Sequence, residues 1–421
     1  MVQRTAPVIR HFLQRPRPAI RGRGILGRIA AMCAIVAIAA CSSQTAGRGG
    51  AADPATGGNT AGATGTAATV DPNAPVIVAL LAPTTASSGG ARRAAQDLVA
   101  AAQMARSDLA PANMVMKVYD TRGTDAGAVE AAEHAVRDGA ALMLGPLFAR
   151  SAQAVKPIAR AAGLNVMAFS NDSTVAGDNI WVLGQLPGDE MRRLLAYAGS
   201  RGIGSVALAY PTDRYGNQVA SLAPEVGRDV GVGVGPFIGY ERSFNGIETA
   251  SQDGARAVRD SGAGGVLIAD AGDALRSMAA FLSYYDVSPR QVQYMGLSRW
   301  ADPKNATERT LRGGWYVAPD PALRSSFGQR FASQMGRQPA PLAAIGYDAV
   351  AAASSLLRSA QASGDQPFDR RAIAGGVSVR GAQGPFRLTA DGLNQRSLAV
   401  ITVSDGVDEV IDPAPSGAPS S

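Results

Sequence analysis

The sequence predicts an α/β protein of two lobes, each a doubly wound parallel sheet, with crossover strands joining them. Two observations carry this expectation. Between residues 76 and 296, short apolar β-branched runs alternate with longer alanine-rich segments of helical period. After Ile180–Leu183 the same rhythm starts again, so the pattern describes two sheets of similar size. About 340 residues lie between low-complexity ends, enough for two lobes of ordinary domain size.

Taken in order, Val76–Leu81 reads as the first strand, followed by a Ser/Gly loop and a helix over Ala91–Arg106 with apolar positions three and four apart. Strand Met114–Tyr119, helix Ala126–Asp138, strand Ala140–Leu144, a helix over Ser151–Ala162 and strand Asn165–Phe169 complete the first series. Such alternation implies right-handed crossovers and helices on both faces of a parallel sheet.

The second series runs helix Asp189–Ser200, strand Ser205–Tyr210, helix Gly216–Val230 and strand Gly235–Tyr240. Helix Ile247–Ser261, strand Gly265–Ala269, helix Ala274–Tyr284 and strand Gln293–Gly296 follow. From Val317 the chain is expected to cross back, adding helices around Arg324–Gln334 and Ala343–Leu357 to the first lobe. A hairpin is expected to pair Phe386–Leu388 with Leu398–Val403 through Asp391-Gly392. The resulting division is 76–186 with 318–378 for the first lobe, and 187–317 with 379–412 for the second.

The ends read differently. Arg4, Arg10, Arg15, Arg17, Arg21, Arg23 and Arg28 precede an apolar run over Ile29–Ala40 with no acid among them. That is a signal-peptide layout over residues 1–40, and the run falls short of the roughly 20 residues a membrane-spanning helix needs. It ends Ile38-Ala39-Ala40-Cys41, which resembles the lipobox of bacterial lipoproteins, so Cys41 is the expected lipidation site. An ordinary A-x-A-like cleavage is the other reading. Residues 42–75 are nearly all small or polar and are expected to form a disordered tether from Cys41, and 413–421 a disordered tail.

The formal charge of +6 arises from the leader: removing its seven arginines from 40 basic residues leaves 33 against 34 acidic ones. A near-neutral mature chain gives no support for nucleic-acid binding. With Cys33 in the leader and Cys41 lipidated, thiol chemistry and cysteine metal sites are excluded. His134 is the sole histidine after the leader and there is no phosphate loop, so the sequence predicts neither catalytic residues nor metal nor cofactor.

The loops that follow the strands carry Ser87-Ser88-Gly89, Asp120-Thr121, Gly145-Pro146, Ser170-Asn171 and Asp213-Arg214-Tyr215-Gly216. In order and spacing the chain over about 76–411 resembles the type I periplasmic binding proteins, typified by leucine/isoleucine/valine receptors. Tyr284-Tyr285-Asp286-Val287, Gly296-Leu297-Ser298-Arg299-Trp300, Arg312-Gly313-Gly314-Trp315 and Gly384-Pro385-Phe386-Arg387-Leu388 are similar to one branch, the penicillin-binding-protein activator lipoproteins. The chain lacks the helical-repeat region that precedes this domain in the best-known activators.

Loops at the carboxyl ends of strands in two facing lobes make a hinged slot. Ser87, Ser88, Ser170, Asn171 and Tyr215 are its hydrogen-bonding candidates; capping and turn formation are the other role for the Ser and Asn side chains. Against the resemblance, Phe148 and Ala149 stand where amino-acid receptors present serine hydroxyls to the ligand carboxylate, and neither side chain can donate. Arg150 and Ser151 are the nearby substitutes. An α-ammonium group would need a carboxylate, for which Asp172, Asp213 and Asp270 are candidates. Ser298 and Trp300 complete the expected cleft set, the aromatics near Trp300, Trp315, Tyr284 and Tyr285 lining the slot, forming a partner patch or packing in the core.

The resemblance implies a non-enzymatic lipoprotein that regulates peptidoglycan synthesis by docking on a bifunctional penicillin-binding protein. The alternative is the receptor of an ABC permease for amino acids or a related small solute. Ser42 after the lipidated cysteine, where Asp would retain the protein at the inner membrane, favours the outer membrane on its periplasmic side.

Overall fold

The computed structural model describes residues 69–375, 378–404 and 406–417. The expected leader, the lipidation site Cys41 and the chain up to residue 68 lie outside the described residues. All described residues belong to one contact-dense unit, Ala61–Ser421.

The first lobe is built from β1 (Val76–Ala82), α1 (Gly89–Leu109), β2 (Met114–Asp120), α2 (Asp125–Arg137), β3 (Ala140–Leu144), α3 (Ala149–Ala161), β4 (Val166–Ala168) and β5 (Ile180–Val182). Its sheet has the order β2-β1-β3-β4-β5, with every pair parallel. Strand β1 shows why both faces must be covered: Val78 and Leu80 enter one apolar core, and Ala79 and Leu81 the other. Each fully buried leucine stabilises the fold by about 1.5–3 kcal/mol. Because β1 sits between β2 and β3, crossovers diverge to opposite faces there, which opens a crevice at the carboxyl ends of the strands.

The second lobe comprises α4 (Pro187–Ser200), β6 (Ser205–Pro211), α5 (Arg214–Val230), β7 (Gly233–Tyr240), α6 (Phe244–Ser261), β8 (Gly265–Ile268), α7 (Gly272–Tyr284), β9 (Gln293–Gly296), the short α8 (Pro303–Ala306) and β10 (Trp315–Ala318). The chain then returns to the first lobe as α9 (Pro321–Met335), α10 (Ala343–Ser363) and α11 (Arg370–Ala374). Phe327 and Phe331 of α9 and the apolar stripe of α10 pack in the same core as α1.

A small antiparallel sheet follows, of β11 (Val379–Gly381), β12 (Gly384–Leu388) and β13 (Asn394–Arg396). Finally β14 (Ala399–Val403) and β15 (Asp408–Asp412) join the second sheet, whose order is β15-β14-β10-β9-β8-β6-β7, with β14 antiparallel to β10. Three segments therefore cross between the lobes: 183–186, 319–320 and 397–398.

Three expectations are corrected. The turn at Asp391-Gly392 joins β12 to Asn394–Arg396, while Leu398–Val403 leaves for the other sheet. Val379, Phe386 and Leu388 share the core of α1 and α10, so residues 379 to about 398 belong with the first lobe. The reason is polar burial. Asn394 donates to the Val182 and Gly184 carbonyls at 2.8 Å each, and Arg396 pairs with Asp348 at 2.7 Å with both side chains buried. Buried Asn and Arg do not look like a strand facing a core. Lastly, the ordered chain exceeds the expected limits: Gln366 exchanges hydrogen bonds with both backbone groups of Val70, and Arg193 donates to the Pro413 carbonyl.

Candidate functional site

A cavity of about 1130 Å³ lies between the lobes, at the carboxyl ends of β2–β6 and β9. Its first-lobe wall includes Phe148, Ala149 and Ser151 at the start of α3, Phe169–Asp172 after β4, and Leu342 and Ile345 at the start of α10. Gly145 lets the chain turn there. Its φ is +91°, and a Cβ would sit 2.2 Å from the Leu81 carbonyl oxygen. The second-lobe wall carries Glu190 of α4, Asp213, Arg214, Tyr215 and Gln218 at the start of α5, and Ser298 and Arg299 after β9.

The helix starts are unequal. Helices α1, α2, α5, α6 and α9 each have a side-chain cap, from Ser88, Thr124, Asp213, Ser243 and Asp320. In contrast α3, α4 and α10 begin at the cavity behind Phe148, Leu186 and Leu342, none of which caps with its side chain. Their first N–H groups add positive potential to the cleft.

The lobes are clasped at one rim. Arg214 of the second lobe pairs with Asp172 of the first, and Gln218 donates to Ser173 at 3.3 Å. Burial pushes the Asp172 carboxyl up, but two Thr174 donors and Arg214 outweigh it and hold it below the usual carboxylate range. Arg214 is 61% exposed, so the pair is partly screened by water.

Of the residues singled out in the sequence, Phe148, Ala149, Arg150, Ser151, Ser170, Asn171, Asp172, Asp213, Tyr215 and Ser298 line the cavity. Four others do not. Ser88 caps α1 and Ser87 is exposed beside it, both outside the cavity lining. Trp300 is buried in the second lobe, its indole donating to the Ile268 carbonyl at 2.9 Å and lying on Gly296, where any Cβ would collide at 2.1 Å. Asp270 is 1% exposed and fully engaged, accepting from Arg242, the Tyr240 hydroxyl and the Ala271 N–H.

The structure also adds residues not named as candidates. Glu190 is buried beside the cavity, accepting from the Ser298 backbone N–H at 3.1 Å and hydrogen-bonded to its hydroxyl. Desolvation pushes its carboxyl up to about 7 against the pull of Ser298 and Arg299. Pro187-Gly188-Asp189-Glu190 reads in sequence as an acidic first turn suited to the helix dipole, which hid this role. Arg299 stacks over the Tyr215 ring, 3.5 Å from its centroid. Gln185 bonds Gln383 at 3.3 Å, joining a crossover to the loop before β12. No three His, Cys, Asp or Glu side chains converge as a metal site among the described residues.

The family model for periplasmic binding proteins matches residues 75–408. This chain belongs to that family. A search of curated proteins returned no match. Among solved structures, this periplasmic binding protein is similar to a protein from Rhodospirillum rubrum described as a branched-chain amino acid ABC transporter. That likeness has a TM-score of 0.68 at 17% identity and covers 80% of this chain and 99% of the other. A solute-binding protein of an ABC transporter from Rhodopseudomonas palustris, solved with 3,4-dihydroxybenzoic acid, matches at TM-score 0.58 and 14% identity over 81% and 98%. An ABC transporter substrate-binding protein from Desulfitobacterium hafniense, solved with Leu, matches at 0.58 and 16% over 80% and 99%. At these identities the likeness shows the fold, a two-lobed type I periplasmic binding architecture. An extracytoplasmic location follows from the family, and no described helix is long and apolar enough to cross a membrane.

These findings do not single out the activator branch. Leu297, Trp300, Phe386 and Leu388, from the motifs that suggested it, are core residues.

Proposed function

We propose that this protein is the solute receptor of an ABC transporter, a binder and not an enzyme, that holds a small organic molecule between its lobes. The observation that supports this reading is the cavity: strand-end loops of both lobes converge on it, and its rim is clasped by an ion pair between them. Binding proteins of this architecture close on a ligand by moving two lobes about their crossovers, and segments 183–186, 319–320 and 397–398 are the hinge candidates here.

Thermal unfolding with a panel of amino acids, aromatic acids and short organic acids tests it. A true ligand at 100 times its Kd stabilises the folded state by about 2.7 kcal/mol. A flat midpoint across the whole panel, confirmed by calorimetry, removes the receptor reading.

Anchoring by a lipid on Cys41 rests on the lipobox sequence. Metabolic labelling with a fatty acid, lost in Cys41→Ala, is the expected result. A synthase-activator role would use the exposed aromatics of the second lobe, where Tyr284 is 76% and Phe244 67% exposed. Retention of a bifunctional penicillin-binding protein on the full chain, lost in Tyr284→Ala, would favour that role over the receptor.

A further inference from the structure

Resting on the receptor reading, we propose that the cleft selects an organic acid with an apolar body and no ammonium group, with Arg299 as the cation that pairs with its carboxylate.

A zwitterionic amino acid needs a carboxylate with free acceptor capacity, because burying an unpaired ammonium costs several kcal/mol. The cavity lining holds four aspartate and glutamate side chains, Asp270 behind it makes a fifth candidate, and each of the five is already engaged. Asp172 is covered by Arg214 and two Thr174 donors. Asp213 accepts from the Gly216 N–H and pairs with Arg242. Asp270 takes two guanidinium nitrogens of Arg242, the Tyr240 hydroxyl and a backbone N–H. Asp125 pairs with Arg150 at 3.2 Å and accepts from the Ser151 hydroxyl at 3.2 Å. Glu190 has no cation within ion-pair distance, yet both its oxygens are bonded to Ser298.

The cations give the opposite result. Arg150 and Arg214 are spent on Asp125 and Asp172. Among the described residues, Arg299 is the cavity-lining arginine with no carboxylate within 4.0 Å. Its guanidinium carbon lies 3.5 Å over the centre of the Tyr215 ring instead, a contact that restrains the side chain, and a guanidinium stacked on a ring can still offer its edge N–H groups to a bidentate carboxylate. Phe148, Phe169, Leu147, Leu342 and Ile345 supply apolar surface on the facing lobe. One arginine without a carboxylate partner, five carboxyl groups that each already accept two or more hydrogen bonds or ion-pair contacts, and an apolar wall match an acid that carries no second charge.

Matched pairs test this on the full mature chain: amino acids of three to ten carbons, each against the same acid without its amino group. Leucine against 4-methylpentanoate and phenylalanine against 3-phenylpropanoate are the central pairs. Calorimetry is expected to show the deaminated acid at least ten-fold tighter in the pairs that bind. Arg299→Gln is expected to weaken it ten-fold or more at an unchanged unfolding midpoint, and Arg299→Lys to weaken it less. Equal or tighter binding of the amino acids overturns the inference and leaves the receptor reading intact. Acid binding indifferent to Arg299→Gln overturns the role of Arg299. No heat from any member of the panel removes both the inference and the receptor reading.

Discussion

The two walls of the cleft are made of different material. The first lobe presents the apolar side chains Phe148, Phe169, Leu342 and Ile345, and its cavity charges, Asp125, Arg150 and Asp172, are already in ion pairs. The second lobe presents charge: Glu190, Asp213, Arg214 and Arg299, with Tyr215 under the last. The contrast extends inward. The first lobe buries an ion pair outright, Asp348 with Arg396, whereas Arg214, Arg242 and Arg299 of the second keep contact with water. The first lobe thus provides an apolar frame whose charges are paired, and the second provides the two charged side chains of the cavity without an ion-pair partner among the described residues, Glu190 and Arg299.

The largest expected effect tests the frame. Asp348→Asn leaves Arg396 charged and buried beside Phe386, and is expected to cost about 3–5 kcal/mol in urea unfolding. A loss under 1 kcal/mol would show that the first lobe does not depend on this pair.

Next comes the charged wall. The folded state holds the Glu190 proton up to about 7, against an ordinary value of 4.5. Stability from this group is therefore complete below about 4.5, falls as pH rises and is gone above about 7, a change on the order of 3 kcal/mol. Glu190→Gln should flatten the dependence of the unfolding midpoint across that window. A parallel decline in the variant would assign the pH dependence to other groups.

Smaller effects concern the rim. Arg214→Gln removes the clasp on Asp172, and because Arg214 is largely exposed the expected loss of stability is under about 1 kcal/mol. The same variant should expand the ligand-free protein in small-angle scattering if the clasp holds the lobes together. Smallest of all, Ser87→Ala is expected to change neither ligand affinity nor stability, since Ser87 is exposed and outside the cavity lining. A measurable loss of affinity would move the site toward α1.

Much of this architecture was legible because local periodicity and burial agree. The expected strands Ala140–Leu144 and Gln293–Gly296 have the observed limits, and the ends of most other elements differ by only a few residues. Loop residues after β3, β4, β6 and β9 reached the cavity because strand ends in such sheets converge on one edge. Asp270 also follows a strand, β8, but Arg242 and Tyr240 cover it from a neighbouring loop and strand, a pairing between segments 28 and 30 residues apart that no spacing announces. Glu190 and Gln383 were invisible for a related reason: one looks like a helix-start acid, the other like a turn residue.

By itself, then, the amino-acid order determined the number of lobes, the kind of sheet and the loops from which a site could be drawn, since these follow from apolar spacing along a few residues. Tertiary structure alone decided which carboxylates are already satisfied, which arginine is left without one, and to which lobe Asn394 and Arg396 belong. Those outcomes depend on distances between remote segments, where a buried charge must find its partner and a buried amide its carbonyl.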